Sequence, residues 1–267
     1  MSLSALPDEH AGPTRIDLPN GERWYEIPLR SGVLRLPSAT TVLDCLPKPW
    51  LQQWRERLIL DHIRQALASG ISNPQEDLET ILADAHHAPN QQVEHACQFG
   101  TALHNAIQTR LETGKYPRED RDNPRLRPCL QGFEAWWRAQ RMQPVQVETI
   151  VWSETFGYAG TCDAICRMPD RYLACCDWKS SSRVCVGHAA QACAYAASYE
   201  EMTGERIRQV MVVRVDKISS QVEVLRIPHA DRVILMRGFL AALDVFNLVH
   251  NYKPRPERWT CGASTGS

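Results

Sequence analysis

Gly160-Thr161-Cys162-Asp163, followed after thirteen residues by Asp177-Trp178-Lys179, is the stretch on which the fold turns. Asp163 falls inside the apolar run from Ala159 to Ile165, and Asp177 ends a second run, Leu173 to Cys176. A carboxylate on a core strand is costly to bury unless it is paired or holds a metal. Two of them on neighbouring strands repel each other, so a divalent cation is their natural partner. Oxygen donors of this kind favour Mg2+ or Mn2+. Strand alternation places Asp177 and Lys179 on the same face of the sheet. An ammonium one pleat from such a carboxylate is suited to orient a water or to stabilise charge developing on a phosphoryl group.

Working outward, VQVETIVW (145–152), FGYAGTCDAICRM (156–168) and YLACCDWKS (172–180) read as three successive strands, with Pro169-Asp170-Arg171 as the turn between the last two. An Ala-rich helix spans 187–203 and stops at Gly204; IRQVMVVRVD (207–216) and QVEVLRI (221–227) add two strands, and an amphipathic helix covers 229–251. The first half has a different texture. WYEIPLRSGVLRL (24–36) predicts a hairpin about Arg30-Ser31-Gly32, and Thr40 or Thr41 is placed to cap a short helix through Leu46. Helices are predicted from Trp50 to Gly70, over 74–87, over 91–113 after a break at Pro89-Asn90, and over 129–141; 115–128 reads as an exposed charged loop. Trp50 and Trp54 share a helical face and read as core residues, whereas one member of the Trp136-Trp137 pair must face outward.

The pattern is α/β: a central sheet flanked by helices in the second half, with a helical N-terminal addition. Four regions follow: a flexible N-terminus at 1–20, a hairpin plus helical wall or arch at 21–143, the core at 144–252 and a loose tail at 253–267.

The chain has 267 residues, with 30 basic and 31 acidic side chains and a formal net charge of −1. That balance argues against a polycation or an acidic tail, but it leaves nucleic-acid chemistry open, since only the local field at a binding surface matters. Residues 181–267 carry 11 basic and 8 acidic side chains, against 8 and 12 in residues 1–90. A phosphate-tracking surface therefore belongs to the C-terminal half and the basic loop at 115–128. Ten cysteines include no CxxC pair, no stretch is long and apolar enough for a membrane span, and no signal peptide opens the chain. The expectation is a cytoplasmic protein whose thiols are reduced and mostly buried.

With these residues in place, the chain resembles the PD-(D/E)xK nuclease superfamily, and more closely its RecB-like exonuclease branch, which includes phage exonucleases, the CRISPR-associated adaptation nucleases and the mitochondrial genome-maintenance exonuclease. The resemblance runs from about Leu36 to Tyr199. Leu36-Pro37-Ser38-Ala39-Thr40-Thr41-Val42-Leu43 is similar to the phage-type PSVTTIL segment, and Phe99-Gly100-Thr101-Ala102-Leu103-His104 to the G-x-x-x-H helix. Val147-Glu148 and Glu154 precede Gly160-x-x-Asp163 at the expected spacing. Asp177-Trp178-Lys179-Ser180-Ser181 matches the D-W-K-T-S strand with Ser180 where Thr is usual, and Gln191-x-x-x-Tyr195 matches the Q-x-x-x-Y helix.

The resemblance implies a restriction-endonuclease-like core and a metal-dependent DNA exonuclease that hydrolyses phosphodiester bonds, of phage or prophage type and acting in recombination or repair. It assigns Asp163, Asp177, His104 and the Trp178 carbonyl as ligands of one or two Mg2+ or Mn2+ ions, and Lys179 as the catalytic lysine. Glu148 stands near the site in preference to Glu154. Gln191 and Tyr195, which share a helical face, contact the DNA backbone or the lysine, and Ser181 a phosphate. DNA is the implied partner, as a single strand or a duplex end, together with a phage recombinase or single-strand-binding protein. The cysteine arrangement does not support the iron–sulfur cluster of some relatives, because only Cys261 follows Cys193. The competing readings are a structure-specific or nicking endonuclease of the same fold, and a catalytically silent DNA-binding recombination partner.

Overall fold

The computed structural model describes residues 12–30, 32–69 and 74–252, the side chains of 74–76 apart. The expectations for residues 1–11, Ser31, Gly70 and the tail from Lys253 lie outside the described residues.

Three strands open the described chain: β1 (Thr14–Asp17), β2 (Arg23–Leu29) and β3 (Gly32–Pro37). They form an antiparallel sheet in the order β1-β2-β3. The hairpin predicted at 24–36 is β2 and β3, with Tyr25 opposite Leu36 and Ile27 opposite Leu34. β1 corrects the expectation of a flexible N-terminus through residue 20. Its four residues show too little hydrophobic alternation to signal a strand, yet they pair with β2 from Thr14–Glu26 to Asp17–Arg23. The existing hairpin provides the edge that orders them.

Helix α1 (Ala39–Asp44) is capped by Ser38 rather than by a threonine. Ser38 Oγ accepts the Thr41 N–H at 2.9 Å. Thr41 Oγ1 instead accepts the Arg23 N–H at 2.8 Å and donates to the Arg23 carbonyl at 3.2 Å, fastening α1 to β2. α2 (Pro49–Ala68) follows, then α3 (Pro74–Thr113). The break predicted at Pro89-Asn90 does not occur: α3 is a single 40-residue helix that passes through Pro89. Pro89 cannot bond back to the Ala85 carbonyl, a local cost of about 3 kcal/mol. Pro89 and Ala85 are both buried, and α2 lies along α3, with Arg55 Nη2 donating to Asn90 Oδ1 at 2.6 Å. Packing holds the helix across the proline.

α2 also corrects the expectation for its tryptophans. No residue of α2 is buried, and Trp50 is 44% exposed. The segment read as a loop contains one short helix, α4 (Arg118–Asp122), before α5 (Arg127–Gln140). On α5 Trp137 is buried and Trp136 half-buried, in line with the opposed directions of adjacent helical residues.

The second half is a five-stranded mixed sheet flanked by helices. Its strands are β4 (Gln143–Ser153), β5 (Tyr158–Arg167), β6 (Leu173–Lys179), β7 (Ile207–Val215) and β8 (Val222–Ile227), in that spatial order. Only β6 and β7 are parallel, and α6 (Val186–Thr203) makes the crossover between them. A parallel pair requires such a connection. α6 and α7 (His229–Val249) cover one face, where the alanines of α6 meet Phe239, Leu243 and Phe246 of α7. α5 and the C-terminal half of α3 cover the other, where Leu103, Ile107 and Phe133 meet Cys176, Trp178 and Val213. Cys175 and Cys176 go to opposite cores, as alternation requires. Among the described residues no helix is long and apolar enough to cross a membrane.

Candidate active site

β5 and β6 pair in register from Arg167–Leu173 to Ala164–Cys176, and there the backbone ladder ends. The next opposed residues are Asp163 and Asp177. Asp163 Oδ2 accepts the Trp178 N–H at 2.6 Å, so a carboxylate takes a backbone donor of the neighbouring strand. Alternation along β5 slips at the same place. Cys162 packs in the core beneath α6 whereas Ala164 packs in the core beneath α5, although residues two apart on a regular strand share a face. On the other side of β5, β4 pairs Val147 with Ala164 and Thr149 with Cys162, which sets Glu148 opposite Asp163. Glu148 has φ +48°, in the left-handed region. A non-glycine residue held there stores about 1–3 kcal/mol of strain, and such strain collects where side-chain direction serves function.

Around these distortions, side chains from eight elements line a cavity of about 270 Å3. Its lining includes Glu148, Asp163, Asp177, Lys179, His104 and, from α6, Gln191 and Tyr195. Two glycines explain the close approach. A Cβ on Gly160 would lie 2.2 Å from Tyr195 Cε1, so only a glycine lets α6 set that ring against β5. A Cβ on Gly100 would lie 3.0 Å from Ser180 Oγ, so α3 meets the chain just beyond Lys179 at this glycine.

Asp177 is 1% exposed. Lys179 Nζ donates to its Oδ1 at 2.9 Å and lies 2.8 Å from Oδ2, yet Oδ2 accepts no hydrogen bond. Burial pushes the Asp177 carboxyl up to about 6; Lys179 opposes the shift and Asp163 adds to it. Burial works against the Lys179 charge, but Asp177 and Asp163 outweigh it and raise the ammonium above its ordinary value. His104 Nδ1 lies 3.5 Å from Asp163 Oδ1. Burial disfavours the imidazolium, and Asp163 more than compensates, so His104 is raised. Asp163 is held below its usual range although burial pushes it up, because His104, Lys179 and the Trp178 N–H all favour the carboxylate. Glu148 is pushed up to about 7 by burial and by Asp163. Five ionisable groups thus share one low-dielectric space, each set by its neighbours.

The donor set fits a hard divalent cation. One ligand atom from each of His104, Glu148 and Asp163 lies within 4.8 Å of the others, while both Asp177 oxygens lie beside the Lys179 ammonium. Two or three carboxylates with one imidazole suit Mg2+ or Mn2+. The grouping differs from the implied one in that Glu148 stands with His104 and Asp163, while Asp177 is engaged by Lys179.

Gln191 Nε2 donates to Thr40 Oγ1 at 2.6 Å and to Tyr195 Oη at 2.8 Å, so the two α6 residues form one polar ledge tied to α1. Ser181 lies outside the lining, and its hydroxyl donates to the Arg183 carbonyl at 2.8 Å. Glu154 lies beyond the end of β4, where its carboxylate accepts from Trp152 Nε1 at 3.4 Å. The Trp178 ring packs in the α5 core against Phe133.

Sequence reasoning missed three arginines. Arg15 of β1 and Arg23 of β2 line the cavity and share Asp17, at 2.9 and 3.6 Å. Nothing in their local pattern distinguishes them from surface residues. Arg214 was findable, because a charge inside the apolar run IRQVMVVRVD invites the question asked of Asp163. It lies beside Lys179 in register, is buried, and donates from Nε to the Ser181 carbonyl at 2.7 Å. Glu223, 2.9 Å from Nη1, and Asp216 complete its partners. A larger groove of about 630 Å3, between β8, α6 and α7, is lined mainly by apolar side chains and holds none of the motif residues.

No family model matches the chain, and no curated protein matches it. Among solved structures it is similar to a proposed exonuclease from Eubacterium rectale, at 12% identity and a TM-score of 0.41, over 57% of this chain and 68% of that one.

Proposed function

We propose that the protein is a metal-dependent deoxyribonuclease of the PD-(D/E)xK type that hydrolyses phosphodiester bonds, and that it acts as an exonuclease of the RecB-like branch. The observation that carries this reading is the pairing of Lys179 with Asp177 beside the His104, Glu148 and Asp163 donors in one cavity. His104, Glu148 and Asp163 would hold Mg2+ or Mn2+, which would supply a water of lowered pKa and neutralise charge on the phosphoryl oxygens. Asp163, with its second oxygen fixed by the Trp178 N–H, presents Oδ1 to the cavity in one orientation. Lys179 keeps its proton at this site, so it serves as a fixed cation that orients the attacking water and stabilises charge on the phosphate. Gln191 and Tyr195 donate or accept at the sugar–phosphate backbone, and Arg15 and Arg23 supply planar cations to it.

Exonuclease action is supported by the enclosure of the site. The N-terminal sheet, α1 and α3 contribute side chains to the cavity that holds the carboxylates, which favours entry of a strand end over capture of a continuous duplex. A role in phage-type recombination or repair rests on the motif resemblance. The test is a time course on end-labelled linear DNA and covalently closed single-stranded circles with Mg2+ or Mn2+. The expected outcome is loss of linear DNA with circles intact. Cleaved circles would replace the exonuclease with a nicking enzyme of the same fold, and binding without cleavage of any form would leave a DNA-binding module.

A further inference from the structure

We propose that Trp50 and Arg183 form a stacking site for a nucleobase of an unpaired strand, and that this site biases the enzyme toward single-stranded DNA. The inference rests on the nuclease reading and adds the substrate class. Trp50 opens α2, a helix that buries no residue, so its indole is not recruited by a core. The ring is instead covered on one side by Arg183, whose guanidinium carbon lies 5.0 Å from the ring centroid. Arg183 is exposed, and its guanidinium rests on the Trp50 ring. A planar cation over one face of a part-exposed indole is a preformed stacking surface that carries positive charge.

Its location ties it to the cavity. Arg183 follows Lys179 by four residues, so their Cα atoms are at most about 14 Å apart. Lys48, two residues before Trp50, lies near enough to His188 of α6 to disfavour its protonated form, as does Lys179. Arg183 lies on the segment that joins the end of β6 at Lys179 to the start of α6 at Val186, so its contact with Trp50 places the start of α2 beside that connection. A phosphodiester chain whose backbone engages Lys179, Arg15 and Arg23 runs within reach of a surface suited to a base. In a duplex, base faces are covered by their neighbours and only edges are open. In an unpaired strand the faces are free, and stacking on an aromatic side chain contributes about 1–3 kcal/mol per base.

The test uses the full chain in Ca2+, so that binding is read without relying on cleavage. A labelled oligothymidylate, the same oligomer with one abasic position, and a duplex of equal length are titrated by anisotropy. Trp50→Ala is expected to weaken oligothymidylate binding by roughly 5- to 100-fold, to leave duplex binding within about twofold, and to lose sensitivity to the abasic position. Trp50→Phe is expected to recover most of the affinity. Equal losses on both DNA forms, no loss on either, or no binding of oligothymidylate by the wild-type protein would overturn the inference. Failure of the nuclease reading is seen separately: wild-type protein that binds with Trp50-dependent selectivity but cleaves nothing in Mg2+ or Mn2+ retains the stacking site and loses the catalytic assignment.

Discussion

The two halves of α3 belong to one helix and meet opposite fates. Leu103, Ala106 and Ile107 are fully buried against β6, β7 and α5, and His104 between them reaches the cavity. Toward the other end, Leu78 and Leu82 are 45% and 48% exposed, and the helix packs on α2, which buries nothing. Hydrophobic periodicity is present in both halves. The difference is that the C-terminal half has a sheet to cover and the N-terminal half has only another helix. A helical stripe predicts a buried face only when a larger apolar surface is available to receive it.

The comparison can be broken or sharpened by substitution. The largest effect is expected at the chemistry that the buried half supports. Lys179→Ala and Asp177→Ala are each expected to lower the cleavage rate by roughly 10²- to 10⁴-fold, with DNA binding in Ca2+ retained. Single-turnover cleavage beside anisotropy measures both, and near wild-type cleavage by either variant would remove the site assignment. Next comes the helix itself. Leu103→Ala is expected to cost about 2–5 kcal/mol in denaturant unfolding, whereas Leu82→Ala is expected to stay within about 0.5 kcal/mol. Equal costs at the two positions would mean that the arm formed by α2 and the start of α3 is packed against something the described residues do not include.

A smaller effect tests the close approach of α6. Gly160→Ala places a Cβ against the Tyr195 ring, and overpacking of this kind costs about 1–3 kcal/mol. Cleavage should fall along with melting temperature, because the ring and its Gln191 partner must move. An unchanged melting temperature would show that α6 yields freely.

The smallest effect is electrostatic. Burial, with Lys179 and Lys48 nearby, lowers His188 from its ordinary value to about 4. A histidine depressed in the folded state contributes stability that is present above its unfolded pKa and lost as pH falls toward the folded value. Stability of the metal-free protein is therefore expected to decline from about pH 6.5 to about pH 4, with about 1–2 kcal/mol of that decline due to His188 after discounting for its partial exposure. His188→Gln should flatten the slope in a series of denaturation curves, and an unaltered slope would assign the decline to other groups.

Much of the core was legible because its signals are local. The five strands and both helices of the second half follow from runs of apolar residues broken by Pro169-Asp170-Arg171 and Gly204, and the order of β4 to β8 in the sheet is the order in sequence. Asp163, Asp177 and Lys179 stood out because a charge in an apolar run needs a partner. Gly160 and Gly100 were visible as motif letters, but their physical reasons, the Tyr195 ring and Ser180, come from helices and loops distant in sequence. Pro89 misled because the local cost of a proline is real, while the packing that offsets it is not local.

By itself, then, the sequence determined the α/β class and the strands that carry Asp163 and Asp177. Only the tertiary structure decided which glutamate turns inward, since Glu148 faces the cavity through a left-handed φ that alternation does not foresee. It also decided that Arg15 and Arg23, on strands of an added sheet, line the cavity, and that Trp50 stays out of the core. Periodicity reports which residues prefer burial or share a face; which of them actually meet depends on surfaces brought together from far along the chain.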